Sequence, residues 1–154
     1  MQIGVISDTH GLVRSEAMAA LHGSDLILHA GDVGSSDVLE TLAEIAPVLA
    51  VRDNVDHDDW ADKLPETRAI ASAGRQFHLR HDIAGLDIDP AAEGCDAVIF
   101  GHSHKPLIEN RSGVLYLNPG SAGPRRSGYR FASSELIWAK LGWFRRSSSS
   151  TCNV

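Results

Sequence analysis

The chain has little cysteine, no excess of basic charge and no long apolar run, and each shortage removes a class of protein. Only two of its 154 residues are cysteine, Cys95 and Cys152, too few for a disulfide framework or a cysteine-based zinc module. Lys plus Arg number 14 against 20 Asp plus Glu, a formal charge of -6. The broad basic footprint of a nucleic-acid binder is missing, and no stable nucleic-acid partner is expected. No apolar stretch approaches the ~18 residues of a membrane span. The start, MQIGVISDTHG, lacks the basic leader, long apolar core and small-residue cleavage site of a signal peptide. A cytoplasmic protein with no membrane partner is therefore expected. Hydrophobic residues make up 43% and charged residues 22%, the balance of an ordinary globular domain, which excludes a wholly disordered chain. One residue type is plentiful: there are eight histidines, and histidine is the commonest metal ligand among side chains.

Residues 2–7, 25–29 and 48–51 are short apolar runs that read as buried strands. Between them lie two stretches with helical spacing. One covers 15–22 and stops at Gly23; the other is capped by Ser35 or Ser36 and runs to about Ile45, before Pro47. This is the β-α-β-α-β pattern of a parallel sheet, whose ligands bind beyond the carboxyl ends of the strands. The three strands run into Asp8-Thr9-His10-Gly11, Gly31-Asp32 and Asp53-Asn54, so three polar loops aim at one place. The second half reads as a hairpin of 67–73 and 76–81 about Gly74-Arg75, a buried strand at 96–100, and a second hairpin of 107–110 and 114–117. A turn follows at 118–121, then a last strand within 131–140. The serine-rich segment 145–154 reads as a disordered tail, leaving one domain over 1–144.

The chemistry gathers at the strand ends. Asp8, His10, Asp32, Asn54, His81, His102 and His104 supply two carboxylates, one amide and four imidazoles. That mixture of oxygen and nitrogen donors suits Mn²⁺, Ni²⁺, Fe, Co²⁺ or Zn²⁺ better than Ca²⁺, which prefers all-oxygen cages. His78 and His81 differ by an odd number and so face opposite sides of their strand. His81, at the strand end, is the better ligand.

In order along the chain, SDTHG at 7–11, HAGDV at 29–33, DNVD at 53–56, His81, IFGHSHKP at 99–106 and NPGSAGPRR at 118–126 resemble the calcineurin-like metallophosphoesterase superfamily. The resemblance is greatest to its small bacterial and archaeal branch, the YfcE/MJ0936-type phosphodiesterases. It implies an α/β fold of two stacked mixed β-sheets flanked by helices, a four-layer α-β-β-α sandwich. It also implies two divalent metal ions, manganese foremost. Asp8, His10, Asp32 and His104 would hold one, and Asp32, Asn54, His81 and His102 the other, with Asp32 bridging. A hydroxide bridging the metals would then hydrolyse a small phosphate ester. A carboxylate can bridge cations ~3.5–4 Å apart, and water between them loses a proton near neutral pH. The resemblance points to a homodimer as well, for which Trp138, Trp143 and Phe144 are the apolar residues at hand.

The chain also departs from that family. The asparagine loop usually reads Gly-Asn-Cys-Asp in this branch and Gly-Asn-His in the wider superfamily; here it is Asp53-Asn54-Val55-Asp56. Val55 cannot donate a proton to a leaving group, which makes Asp56 and His57 the candidate catalytic acids. Asp53 is tolerable in glycine's place if the backbone there is left-handed. Asp82, where a glycine is usual, either orients His81 or is a solvated loop residue. His29 is either a support for the ligands or a buried strand histidine. Trp60 contacts substrate or core, and Arg125 and Arg126 bind substrate phosphate or form surface ion pairs. Two other readings stay open: a phosphomonoesterase, and a non-catalytic protein-binding scaffold like the small subunit of the retromer coat, whose metal site is impaired. Here all seven ligand positions carry competent side chains. A nuclease of the same superfamily would need DNA-binding and capping regions for which 154 residues leave no room.

Overall fold

The computed structural model describes residues 1–53 and 55–124 and the backbone of 139–141. Asn54, Arg125, Arg126, Trp138, Trp143, Phe144 and the serine-rich tail lie outside the described residues. The first half follows the expected alternation: β1 (Ile3–Ile6), α1 (Ser15–Leu21), β2 (Leu26–His29), α2 (Ser36–Ala43) and β3 (Val48–Ala50). The Ser35 hydroxyl caps α2 by accepting from the Asp37 amide at 3.2 Å. The three strands are parallel in the order β3-β2-β1, and β9 (Ala139–Leu141) adds an antiparallel edge beside β1.

After a short helix α3 (Asp58–Ala61), the second sheet forms from β4 (Thr67–Ser72), β5 (Arg75–Arg80), β6 (Ala97–Ile99), β7 (Leu107–Arg111) and β8 (Val114–Asn118). Its order is β4-β5-β6-β8-β7, with the β5-β6 and β6-β8 pairs parallel. Strand alternation sorts the side chains into layers. Ile3, Val5, Leu26 and Leu28 of the first sheet meet Phe77, Leu79, Ala97, Ile99 and Leu117 of the second between the sheets. Ile6 and Ile27 point the other way, onto Ala17, Leu21, Val38 and Leu42 of the two helices. Val98, Val114 and Tyr116 face the outer side of the second sheet, under Ile83, Leu86 and Cys95. The two stacked sheets with flanking helices are thus as expected. Among the described residues the fourth layer is thin, a single 3-10 turn at Ile83–Gly85 and the turns after it. No described helix is long and apolar enough to cross a membrane.

Register sets the position of the site. Ile6 pairs with His29 and His29 with Ala50, so the three parallel strands of the first sheet end level. Leu79, Ile99 and Leu117 are likewise aligned in the second. The loops carrying Asp8, Asp32, Asp53, His81 and His102 leave from those ends.

Two details differ from the expectation. The helix α3, four residues reading DDWA, has no apolar period that would mark it in the sequence. The first hairpin turns on Ala73-Gly74, one residue earlier than expected, with φ of 51° and 73°. This is the type I′ pattern, with positive φ at both central positions, which alanine resists and asparagine tolerates. Ala73→Asn should therefore raise the unfolding free energy by about 0.5–1 kcal/mol in urea titrations. An unchanged or lower midpoint would show that the left-handed alanine carries no strain.

Candidate metal centre

Backbone hydrogen bonds lash the loops of the two sheets into one rim. The amides of Asp8, His10 and Gly11 donate to the carbonyls of Gly31, Asp32 and Val33 at 3.1, 3.0 and 2.8 Å. Gly101 donates to the His81 carbonyl at 3.0 Å, and Ala122 and Gly123 donate to those of Ser7 and Asp8 at 3.0 and 2.9 Å. Side chains complete the frame. The Asn118 amide group donates to the Gly101 carbonyl at 2.6 Å and to Ser103 Oγ at 3.1 Å, fixing the Gly-His-Ser-His loop from beneath. Arg14 donates to the carbonyls of Ser121 and Ala122.

The loops are tight as well as tied. Asp8, His10, Asp32, His102 and His104 all have left-handed backbones, with φ of 53°, 49°, 57°, 68° and 58°. Each costs an L-residue on the order of 1 kcal/mol, and such strain persists where the surroundings over-determine it. Five of the seven expected ligands sit in this conformation. Two glycines allow the close approach. A Cβ at Gly31, whose φ is +87°, would lie 2.7 Å from His81 Cβ, and one at Gly101 would lie 2.7 Å from Asp8 Oδ2.

Two groups of candidate ligands result. Asp8, His10, Asp32 and His104 each offer an atom, all within 4.8 Å of one another, and Asp53, His81 and His102 do the same. In the first group His10 Nδ1 is 3.2 Å from Asp32 Oδ1, and His104 Nε2 is 3.2 Å from Asp8 Oδ1. His81 Nε2 lies 3.9 Å from the same Asp8 oxygen, so the groups adjoin. Asp8 is fully buried, held by the Ser7 hydroxyl at 2.6 Å and the His102 amide at 3.3 Å. Burial pushes the Asp32 carboxyl up from its usual range; nearby His10 draws it down and Asp8 pushes it up further. Buried carboxylates this close repel without a cation between them.

His81 makes the strongest case that the residues fit a metal. Its Nδ1–H donates to the Ala30 carbonyl at 2.7 Å, joining the end of β5 to the end of β2. The ring is 2% exposed, and its Nε2 has no hydrogen-bond partner among the described residues. A buried ring nitrogen left open while the other is fixed to a carbonyl is how a ligating histidine is oriented.

His10, Asp8, Asp32, His81, His102 and His104 therefore come together as the sequence suggests, and Asn54 lies outside the described residues. Of the two candidate acids, Asp56 is buried and accepts backbone N–H groups from Val33, Gly34 and Asp53 at 3.3, 2.8 and 3.1 Å. It ties two ligand loops together, and proton donation has no support in that geometry. His57 is exposed at the start of α3. Asp82 accepts from the Ala84 amide and caps the 3-10 turn, so Ala30, not Asp82, orients His81. Trp60 packs against the core between the first sheet and its helices. Asp53, expected only to stand in for glycine, joins the second group, and its φ is not among the positive ones. The signal was there: an acidic residue in a ligand loop.

His29 lies beneath the site. It is fully buried, with Nε2 2.9 Å from Thr9 Oγ1, whose hydroxyl is 2.9 Å from the Val33 carbonyl. It thus supports the loop between Asp8 and His10. Burial lowers its pKa to about 4; Asp56 raises it and His81 lowers it further.

The sequence matches the model of the calcineurin-like phosphoesterase superfamily domain over residues 1–136. It is 33% identical over 154 residues to a probable metallophosphoesterase of Methanocaldococcus jannaschii, covering 92% of this chain and 80% of that one. It is 27% identical over 152 residues to the phosphodiesterase YfcE of Escherichia coli K12, covering 83% of each. In structure it is similar to wild-type Vps29 of Entamoeba histolytica complexed with zinc, at TM-score 0.66 and 25% identity, covering 79% of this chain and 74% of that one.

The burial of His29 has a consequence for stability. The unfolded histidine takes a proton near pH 6.5, while the folded one stays neutral down to about pH 4. Stability from this residue is therefore complete above pH 6.5 and declines as the pH falls to 4, by about 3 kcal/mol. In urea unfolding with chelator present, His29→Gln should flatten the profile between pH 7 and 4 by that amount. An unchanged slope would show that His29 is not the group responsible.

Proposed function

This chain belongs to the calcineurin-like phosphoesterase superfamily, and from that premise we propose that it is a phosphodiesterase dependent on two divalent metal ions. The observation that carries the reading is the pair of adjoining ligand groups, with a buried His81 Nε2 that has no hydrogen-bond partner among the described residues. The similarity to a named phosphodiesterase supports the reaction class. Asp8, His10, Asp32 and His104 would hold one ion, and His81 and His102, with Asn54 and the shared Asp32, the other; Mn²⁺ is the first metal to try. Two ions there supply Lewis acidity toward phosphate oxygens and make a bound water acidic enough to act as a nucleophile near neutral pH.

The chain's own residues do the rest. Asp8 is buried and held by the Ser7 hydroxyl, and Asp32 is buried 3.2 Å from His10 Nδ1. Their two negative charges leave a site loaded with two divalent cations positive, which draws a phosphate ester to an otherwise acidic protein. His102 is exposed at the mouth, on the loop that Asn118 holds. Val55 is 54% exposed and offers no proton, and Asp56 is occupied with backbone amides. The exposed His57 or solvent would then protonate the leaving group, which favours esters whose leaving group needs little help. The similarity to Vps29 keeps a protein-binding scaffold as the second reading.

Two measurements decide between them. Purified protein supplied with Mn²⁺ should bind two ions and hydrolyse bis(4-nitrophenyl) phosphate, and Asp32→Ala should lose both metal and turnover. Two bound ions with no turnover of diester or monoester would favour the scaffold. Val55→His should raise turnover on diesters with poor leaving groups by about 100-fold, the lower end of general-acid effects. No change would mean that another group already supplies the proton.

A further inference from the structure

The loop after β3 carries a carboxylate, Asp53, and the fold places it beside His81 and His102. We infer that Asp53 is an additional ligand of the second metal position, beside His81 and His102; this rests on the two-metal reading above. Asp53 Oδ2 stands 3.5 Å from His81 Nε2. A hydrogen bond does not account for that approach. The distance exceeds the N–H···O range of 2.7–3.2 Å. The Nδ1 proton of His81 is already committed to the Ala30 carbonyl, so in the neutral ring Nε2 is an acceptor. A carboxylate oxygen and an imidazole lone pair then face each other beside the buried ring, which is unfavourable unless a proton or a metal cation lies between them. The spacing suits one. Two ligand atoms each ~2.1 Å from an ion stand about 3.0 Å apart at an octahedral right angle and about 3.4 Å apart in a tetrahedron.

The carboxylate is held for this role. The Asp53 amide donates to Asp56 Oδ2 at 3.1 Å, and the Asp56 amide returns a bond to the Asp53 carbonyl at 3.1 Å. Asp56 also grips Val33 and Gly34, so the loop bearing Asp53 is fastened to the loop bearing Asp32. Asp53 needs no left-handed backbone to reach the site, and its side chain is 21% exposed, facing the rim.

The chemistry of the second position changes accordingly. Beside the shared Asp32, Asp53 adds a second hard anionic oxygen to the imidazoles, which favours Mn²⁺ and other hard divalent ions over soft ones. The loaded centre also carries one positive charge less. With Asp8, Asp32 and Asp53 against two divalent ions it stands near +1, a better match to the single charge of a phosphodiester than to the double charge of a monoester.

The test is calorimetric titration of chelator-stripped full-length protein with Mn²⁺, with circular dichroism to confirm the fold of each variant. The parent should bind two ions. Asp53→Asn and Asp53→Gly should each keep the first and weaken the second by about 10-fold or more. His81→Ala should weaken that same second site. Asp82→Asn removes a carboxylate that caps the 3-10 turn and should leave both sites as they are. Two ions bound by Asp53→Asn at parental affinity would overturn the assignment, as would a loss no greater than that of Asp82→Asn. A parent that binds fewer than two ions would instead overturn the two-metal reading, and this ligand with it.

Discussion

The hydrogen bond from His81 Nδ1 to the Ala30 carbonyl is the constraint on which the site depends. It spans the two sheets, pinning the residue beyond β5 to the residue beyond β2. Strand parity makes the bond possible. Phe77 and Leu79 face the first sheet, and His81 continues that side of the strand. Gly31 makes it sterically possible, because any side chain there would strike the His81 ring. One contact thereby fixes the distance between the sheets' ends, the tautomer of the ring and the direction of its open nitrogen.

Around that contact the protein accepts local costs. Five ligand-bearing residues adopt left-handed backbones, and Asp8, Asp32 and Asp56 are buried near one another. The site is rigid because every loop is held from behind. Thr9 and His29 support the first loop, Asp56 joins the second to the third, and Asn118 holds the loop of His102 and His104. The stability for this comes from elsewhere, chiefly the apolar layer between the sheets and the helix-covered face of the first sheet. The loops store the strain and the core retains it.

Much of the site could be read from the chain. Asp8, His10, Asp32, His81, His102 and His104 are separated by nearly a hundred residues, but each follows an apolar run, and the runs fix where the loops emerge. The hairpins and the parallel pattern of the first half were legible for the same reason. What escaped was whatever depended on orientation. Asp56 has the composition of an acid and the position of a tie between loops. Asp82 could have held His81, but caps a turn instead. Asp53 looked like a tolerated replacement for glycine and proved to point at His81.

The sequence by itself determined which residues could take part and at which end of the sheets they would gather. Periodicity of apolar residues and the end of each strand are local properties, and they survive without coordinates. Only the tertiary structure decided which donors share one space and which way each nitrogen or oxygen faces. Those are set by distances of 2.7–3.9 Å between residues far apart in the chain. They depend on register, on the separation of the sheets and on backbone angles that no local pattern encodes.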